Sequence, residues 1–270
     1  MARARKQERC YWERAVTRNR AIPRFEHRGK DTSRILALSD GVFAFALTLL
    51  VLQLSPGDAF SSEANPDSFA FTVSLRPKML SYLLSFLVGG QYWVSHHWDF
   101  EHIVGYDRRL LWINLMFLLS FTLLPFTTAL IGTHLDAITW SVYSADMILI
   151  GLPQTAIWGY TLSAGLTDPK LDDRLARYML LVHLEAPAVF LVSMVVAQFA
   201  VTAAVYMPLS IWLVRPLGQR LYLVRHSRAL ANEGDSEVPR WRMWFWQAVG
   251  YSPLITLVVW FIWLTLTQQV

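Results

Sequence analysis

Ionisable and polar side chains stand inside stretches that are otherwise apolar, and they are where chemistry would reside. In "LSDGVFAFALTLLVLQL", Leu38 to Leu54, the carboxylate of Asp40 opens a run long enough to cross a membrane. A charge at bilayer depth costs roughly 2.5 to 3.5 kcal/mol on insertion scales, so such residues usually face a bundle interior or a wet cavity. At about 100° per residue a helix puts Leu38, Gly41, Phe45, Thr48 and Leu52 on one stripe and turns Ser39 and Asp40 elsewhere. Two readings follow. Either that stripe lines an axis, apolar apart from Thr48, with Ser39 and Asp40 in the packing between helices, or Ser39 and Asp40 cap a helix start.

A second cluster, His96, His97, Asp99, Glu101 and His102, has the residue types of a metal or catalytic site. Adjacent histidines do not share a helix face. Helical ligand spacing would require His97 with Glu101, or Asp99 with His102. No metal and no cofactor are expected. Asp146, His183, Glu185 and Gln198 are further polar groups inside apolar runs; interhelical hydrogen bonding is their commoner role, a proton path the alternative. An enzyme would need a nucleophile, a base and oxyanion donors converging on a pocket. The chain has one cysteine, Cys10, outside the apolar runs, and no Ser-centred elbow, so no enzymatic activity is expected. A secondary transporter would show inverted repeats. Gly89, Gly90, Pro125, Pro153 and Pro187 interrupt the runs, but no repeat relates them.

The elements that must hold these groups are membrane helices. Hydrophobic residues make up 54% of the 270, charged residues only 16%, and the mean hydropathy is +0.33, too apolar for a soluble domain of this size. A spanning helix needs about 20 mainly apolar residues. Candidates are Ile35 to Leu54, Met79 to Trp98, Leu110 to Ile131, Ile138 to Leu162, Met179 to Phe199, Ala200 to Val214 and Trp244 to Thr267. The sixth is short, suiting a tilted or re-entrant helix. The seventh is broken by Gly250 and Pro253 and rich in tryptophan, which also suits an interfacial position.

Lys and Arg crowd the segment before Ile35 and recur at Arg108, Arg109, Lys170, Arg174, Arg177 and Arg215 onward, whereas Gly132 to Ala137 has none. The positive-inside rule then places the N-terminus in the cytoplasm. The arm lacks the features of a cleavable signal and reads as a solvated tail touching anionic lipid; nothing in it resembles a nucleic-acid-reading module. The chain divides into a basic cytoplasmic arm (1–33), a transmembrane domain (34–214), a charged cytoplasmic linker (215–243) and an extra hydrophobic segment (244–270), with Ser55 to Ser68 as an external loop.

The stretch "RILALSDGVFAFALTLLVLQL" resembles the first helix of the transmembrane protein 175 family of potassium-permeable channels, whose signature is Arg, three residues, then Phe-Ser-Asp. Arg34, Ser39 and Asp40 match, and Gly41, Val42, Phe43 and Ala44 follow in the bacterial form. "YLLSFLVGGQYWVSHHWDF" is similar to the second helix, with Trp93, His96 and His97, and "DRRLLWINLMFLLSFTLLPFTTALIG" to the third, with Asn114, Pro125 and Phe126. The resemblance implies an all-α bundle of six transmembrane helices per subunit, a homotetramer with first helices lining the pore, and passive potassium flux in the plasma (inner) membrane. Other monovalent cations or protons are the alternative permeant ions. It further implies a constriction at Phe45 and Leu52, with Thr48 as the hydroxyl layer. Arg34, Ser39, Asp40, Trp93, His96, His97 and Asn114 would form a polar network around the pore helix.

Four features depart from the pattern. Leu38 replaces the signature Phe, Phe45 an Ile or Leu, and Gln53 an acidic residue, and a hydrophobic segment follows the sixth helix. There is no carbonyl filter of the Thr-Val-Gly-Tyr-Gly kind. Four phenyl rings at Phe45 would close the axis by sterics and dewetting or offer π faces to a cation. A non-conducting relative closed by Phe45 is therefore the rival expectation, with a secondary transporter behind it.

Overall fold

Apolar side chains and one serine recur three and four positions apart through the first apolar run, and this period builds its helix. Helix α1 spans Ser33–Leu49 and tightens into a 3-10 turn at Leu50–Leu54. Ile35, Ser39, Phe43, Ala46 and Leu50 are buried along one side. The computed structural model describes residues 29–54 and 68–211. The expectations for most of the basic arm, the loop after Leu54, the linker 215–243 and the segment 244–270 lie outside the described residues.

Helix α2 (Ser68–His102) is 35 residues long. The third apolar run forms two helices, α3 (Arg108–Phe121) and α4 (Leu124–Thr133). The break falls where Pro125, lacking an N–H, is accommodated in the first turn of α4. Asp107 caps α3 by accepting from the Leu110 N–H at 2.9 Å. Helix α5 (Ala137–Ala164) starts on a reciprocal Asp136–Thr139 capping box and stops at Gly165, whose φ of 64° suits a residue without Cβ. Helix α6 (Asp173–Ala197) is capped by Asp172, and a six-residue α7 (Val201–Tyr206) runs into a 3-10 turn at Met207–Leu209. The sixth apolar run thus begins as a short helix and turn.

Among the described residues, three stretches are long and apolar enough to cross a membrane: Ser33–Leu54, Arg108–Thr133 and Asp173–Ala197. Helices α2 and α5 are long but carry polar groups inward. Ser81, Ser85, His96 and Asp99 are buried on α2, and Ser144, Asp146, Gln154 and Thr161 on α5. At 1.5 Å per residue, α5 is about 42 Å long, more than the roughly 30 Å hydrocarbon core. Trp140, Tyr143, Met147, Ile150, Ile157 and Trp158 make α5 the middle of the core, all fully buried. It packs along α6 on one side and α3 on the other.

One end of the bundle is tied by backbone hydrogen bonds between segments distant in sequence. Gly29 and Tyr106 exchange N–H···O bonds of 3.0 and 2.9 Å, Val104 N–H donates to Leu166 O at 2.9 Å, and Asp168 N–H to His102 O at 2.9 Å. These bonds bring together the entry to α1, the α2–α3 turn and the α5–α6 turn. A Cβ at position 29 would stand 2.2 Å from the Tyr106 ring, so a larger residue there requires that ring to shift. Lys30, Arg34, Arg108, Arg109, Lys170, Arg174 and Arg177 all flank these turns, whereas the α4–α5 turn has no Lys or Arg. The Lys and Arg of these turns therefore gather at one physical end of the bundle, and Lys78 of α2 lies beside Gly132 at the end of α4.

Candidate functional site

Opposite the buried stripe of α1 lies a second one that the protomer leaves uncovered. Leu38 is 52% exposed, Phe45 65% and Leu52 67%, and Gly41 and Thr48 are exposed between them. Thr48 Oγ1 donates to the Phe45 carbonyl at 2.8 Å. That bond spends the hydroxyl hydrogen on the backbone and leaves oxygen lone pairs toward the exposed side. The surface is apolar except for one acceptor layer, and on a single helix its spacing is fixed by the 3.6-residue repeat.

The buried side of α1 carries one polar residue, and it is satisfied. Ser39 Oγ donates to the Ile35 carbonyl at 3.0 Å and accepts from Asn114 Nδ2 at 3.2 Å. Asn114 Oδ1 in turn faces His96 Nε2 at 2.9 Å. With the amide nitrogen committed to Ser39, the ring N–H is the donor to Asn114. The imidazole of His96 stacks on Phe100 (4.6 Å between centroids) and Phe117 (5.1 Å, 9° between planes), with Phe43 of α1 edge-on at 5.5 Å. An aromatic box thus holds a hydrogen-bond chain that runs from α1 through α3 to α2.

Asp40 takes a different partner. Trp93 Nε1 donates to Asp40 Oδ1 at 2.8 Å, on a half-exposed face. The Trp93 indole stacks on His97 (5.8 Å, 30°), and His97 lies 3.5 Å from Glu101 one turn on. Ser39 and Asp40 fall well inside α1, whose N-cap position is Thr32, so neither caps the helix start. The structure therefore brings six of the seven network residues into two ties, Ser39–Asn114–His96 and Asp40–Trp93–His97. Arg34 is exposed at the start of α1 and joins neither among the described residues. Its charge acts on Asp31, whose carboxyl is held below its usual range by the Ser33 hydroxyl, the Ser33 N–H and then Arg34.

Several site features have no local signature. The Gln53 side-chain amide donates to the Pro125 carbonyl, fastening the end of α1 to the break in the third run. Thr127 donates to Asp146 at 2.8 Å between α4 and α5. The residues of the second-helix cluster disperse to separate partners: His96 to Asn114, His97 to Glu101, His102 to the Trp98 carbonyl, and Asp99 to His183 of α6 at 2.8 Å. Among the described residues no group of three or more His, Cys, Asp or Glu could hold a metal ion. Sequence spacing missed the Asp99–His183 contact because it spans 84 positions.

Comparison with known proteins matches residues 34–125 to the family described as endosomal/lysosomal potassium channel TMEM175. A potassium channel of Streptomyces collinus is 33% identical over 154 residues, which cover 54% of this chain and 73% of the relative. A potassium channel of Chamaesiphon minutus is 33% identical over 138 residues, 50% of this chain and 68% of the relative. The endosomal/lysosomal proton channel TMEM175 of Mus musculus is 26% identical over 188 residues, 65% of this chain but 36% of that longer protein. Among solved structures, the crystal structure of a lysosomal potassium-selective channel TMEM175 homolog from Chamaesiphon minutus superposes with a TM-score of 0.55 at 26% identity, covering 66% of this chain and 92% of the other. A third of the residues are thus shared with bacterial relatives over more than two thirds of their length, on a helical bundle of the same fold, and the chain belongs to the TMEM175 family of ion channels.

Proposed function

We propose that this protein is a passive, potassium-permeable cation channel of the plasma (inner) membrane. Four copies would surround an axis lined by α1, with Phe45 and Leu52 as a hydrophobic constriction and Thr48 as the hydroxyl layer that receives a partly dehydrated ion. The observation that carries this reading is the uncovered stripe of α1. A helix whose opposite face is buried and hydrogen-bonded to two neighbours leaves Phe45, Thr48 and Leu52 free to meet their symmetry mates. Apolar constrictions gate by excluding water, and oxygens replace part of an ion's hydration. The names of the bacterial relatives favour potassium, and those of the vertebrate relatives make protons the second candidate. The basic end of the bundle would face the cytoplasm, with anionic lipid head groups beside it.

Potassium flux into liposomes holding the purified protein tests the reading, with wild type beside Phe45→Ile and Phe45→Ala. The expected result is wild-type flux whose ion selectivity changes in both variants. Flux only after Phe45→Ile would identify a channel scaffold closed by its own ring. Silence in all three would remove the pore assignment and leave a non-conducting relative. Uptake that requires a coupled solute would mark a secondary transporter.

A further inference from the structure

Asp99 on α2 and His183 on α6 face each other in the protomer interior, away from α1. They are 0% and 4% exposed, and His183 Nε2 lies 2.8 Å from Asp99 Oδ2. The other ring nitrogen, Nδ1, lies 2.6 Å from the Met179 carbonyl oxygen. A carbonyl can only accept, so Nδ1 carries a hydrogen. Nε2 then faces a carboxylate oxygen, and a bond of that length requires one more proton between the two. The indole of Trp158 lies parallel to the imidazole at 6.0 Å and 9°, which fixes the ring plane. Asp99 Oδ1 is buried and has no hydrogen-bond partner among the described residues.

One turn before Asp99, Ser95 Oγ stands 3.5 Å from the same Nε2. Ser95 also lines a cleft between α2 and α6, with Gln91, Tyr92, Phe190 and Pro208. The imidazole therefore has a carboxylate to donate to and a hydroxyl to accept from at one nitrogen.

We propose that Asp99 and His183 form an off-axis proton-binding site, loaded and unloaded through Ser95 and the cleft it lines. In the loaded state the Nε2–H of an imidazolium donates to the Asp99 carboxylate, and the pair is neutral overall. On unloading, the Nε2–H bond breaks and its proton passes to solvent water. The electron pair stays on nitrogen, and the ring becomes neutral. The freed lone pair accepts the Ser95 O–H, so one hydrogen bond replaces another and the α2–α6 contact has two defined arrangements. Asp99 then stands as a buried anion, which makes the two arrangements differ in charge as well as in bonding.

Other titratable groups near the pair are His96 and His102, three positions either side of Asp99 on α2, with Tyr178 and Glu185 flanking His183 on α6. Helix α5 brings Trp158 and Gln154; its one acidic residue, Asp146, lies about 18 Å from Trp158 along the axis. The closing turn brings the uncharged Pro208 and Ile211.

The test is nitrogen-15 magnetic resonance of the full-length, histidine-labelled protein in bilayers between about pH 5 and about pH 8, where histidine ordinarily titrates. His183→Gln, whose amide can still donate to Asp99, identifies the His183 signal by its loss. The expected result is a ring that passes from doubly protonated to singly protonated at Nδ1. Asp99→Asn should abolish or displace that transition. Ser95→Ala should move its midpoint to higher pH, because the unloaded ring loses its donor. One unchanging protonation state in the wild type overturns the proposal, whether or not the variants fold, and so does an Asp99→Asn titration identical to wild type.

Discussion

The indole nitrogen of Trp93 donates to a carboxylate oxygen of Asp40 across 2.8 Å, joining α2 to α1 at a face the protomer leaves half open. A charge at this depth is costly, and a hydrogen bond to an ionised acceptor is among the stronger ones. The pair therefore orients α1 about its own axis, and with it the stripe that carries Phe45.

Trp93→Phe removes that donor and keeps most of the ring. The expected cost is about 1–3 kcal/mol, read as a lower melting temperature in detergent and, for the proposed tetramer, a smaller assembled fraction on native gels. Asp40→Asn keeps an oxygen for the indole and loses the charge; it should weaken assembly, and the double variant should cost less than the two singles together. Full additivity would mean that the Asp40 charge adds nothing to the contact.

Asn114→Leu should be more damaging than its position in an apolar run suggests. It leaves the His96 ring N–H, 1% exposed, without its acceptor and removes one donor from Ser39, which keeps its bond to the Ile35 carbonyl; an orphaned buried group costs about 1–3 kcal/mol. Chemical denaturation should show the loss, and a variant as stable as wild type would remove the Ser39–Asn114–His96 chain as a structural tie.

Acid should loosen the end of the bundle that carries the α2–α3 turn, through Asp107. Partial burial pushes its carboxyl up, but the hydrogen bonds from Tyr160, Leu110 and Arg109 and the Arg109 charge outweigh it and hold the group below its ordinary range. A carboxyl lowered on folding contributes stability that is present above its unfolded value, about 3.9, and lost as the pH falls through the folded value. Melting curves from neutral to about pH 3 should fall less steeply for Asp107→Asn than for wild type. Parallel curves would place the acid sensitivity elsewhere.

Gly29→Ala puts a methyl group 2.2 Å from the Tyr106 ring. The ring must move, and the paired backbone bonds between the two residues weaken with it. Limited proteolysis at the α2–α3 turn should quicken, and Tyr106→Ala in the same chain should restore part of the protection by making room. No change in the single variant would show that the ring swings aside freely.

Much of α1 was legible because one rule, the helical repeat, decides which of its residues share a face. The stripe Leu38, Gly41, Phe45, Thr48 and Leu52 needed no knowledge of neighbours, and the structure leaves all five exposed. The cluster at the end of α2 was not legible in this way. Helical spacing separated the adjacent histidines and left two ligand pairings open, His97 with Glu101 or Asp99 with His102, of which the structure brings together His97 and Glu101; it said nothing of Asn114 or His183. Those partners come from other helices, at 18 and 84 positions' distance. Gln53 shows the same limit: its partner is a backbone carbonyl beside Pro125, and any residue type supplies a carbonyl.

By itself the sequence determined the membrane habit, the approximate runs, the turns rich in Lys and Arg, and the faces of the first helix, because hydropathy, charge and helical period are properties of consecutive residues. Tertiary structure alone decided the break at Thr122–Leu123, the division of six network residues into two ties that Arg34 does not join among the described residues, and the meeting of Asp99 with His183. The reason is that a buried polar group is stabilised by whichever donor or acceptor the packing of other helices brings within about 3 Å, and that choice is made across the bundle.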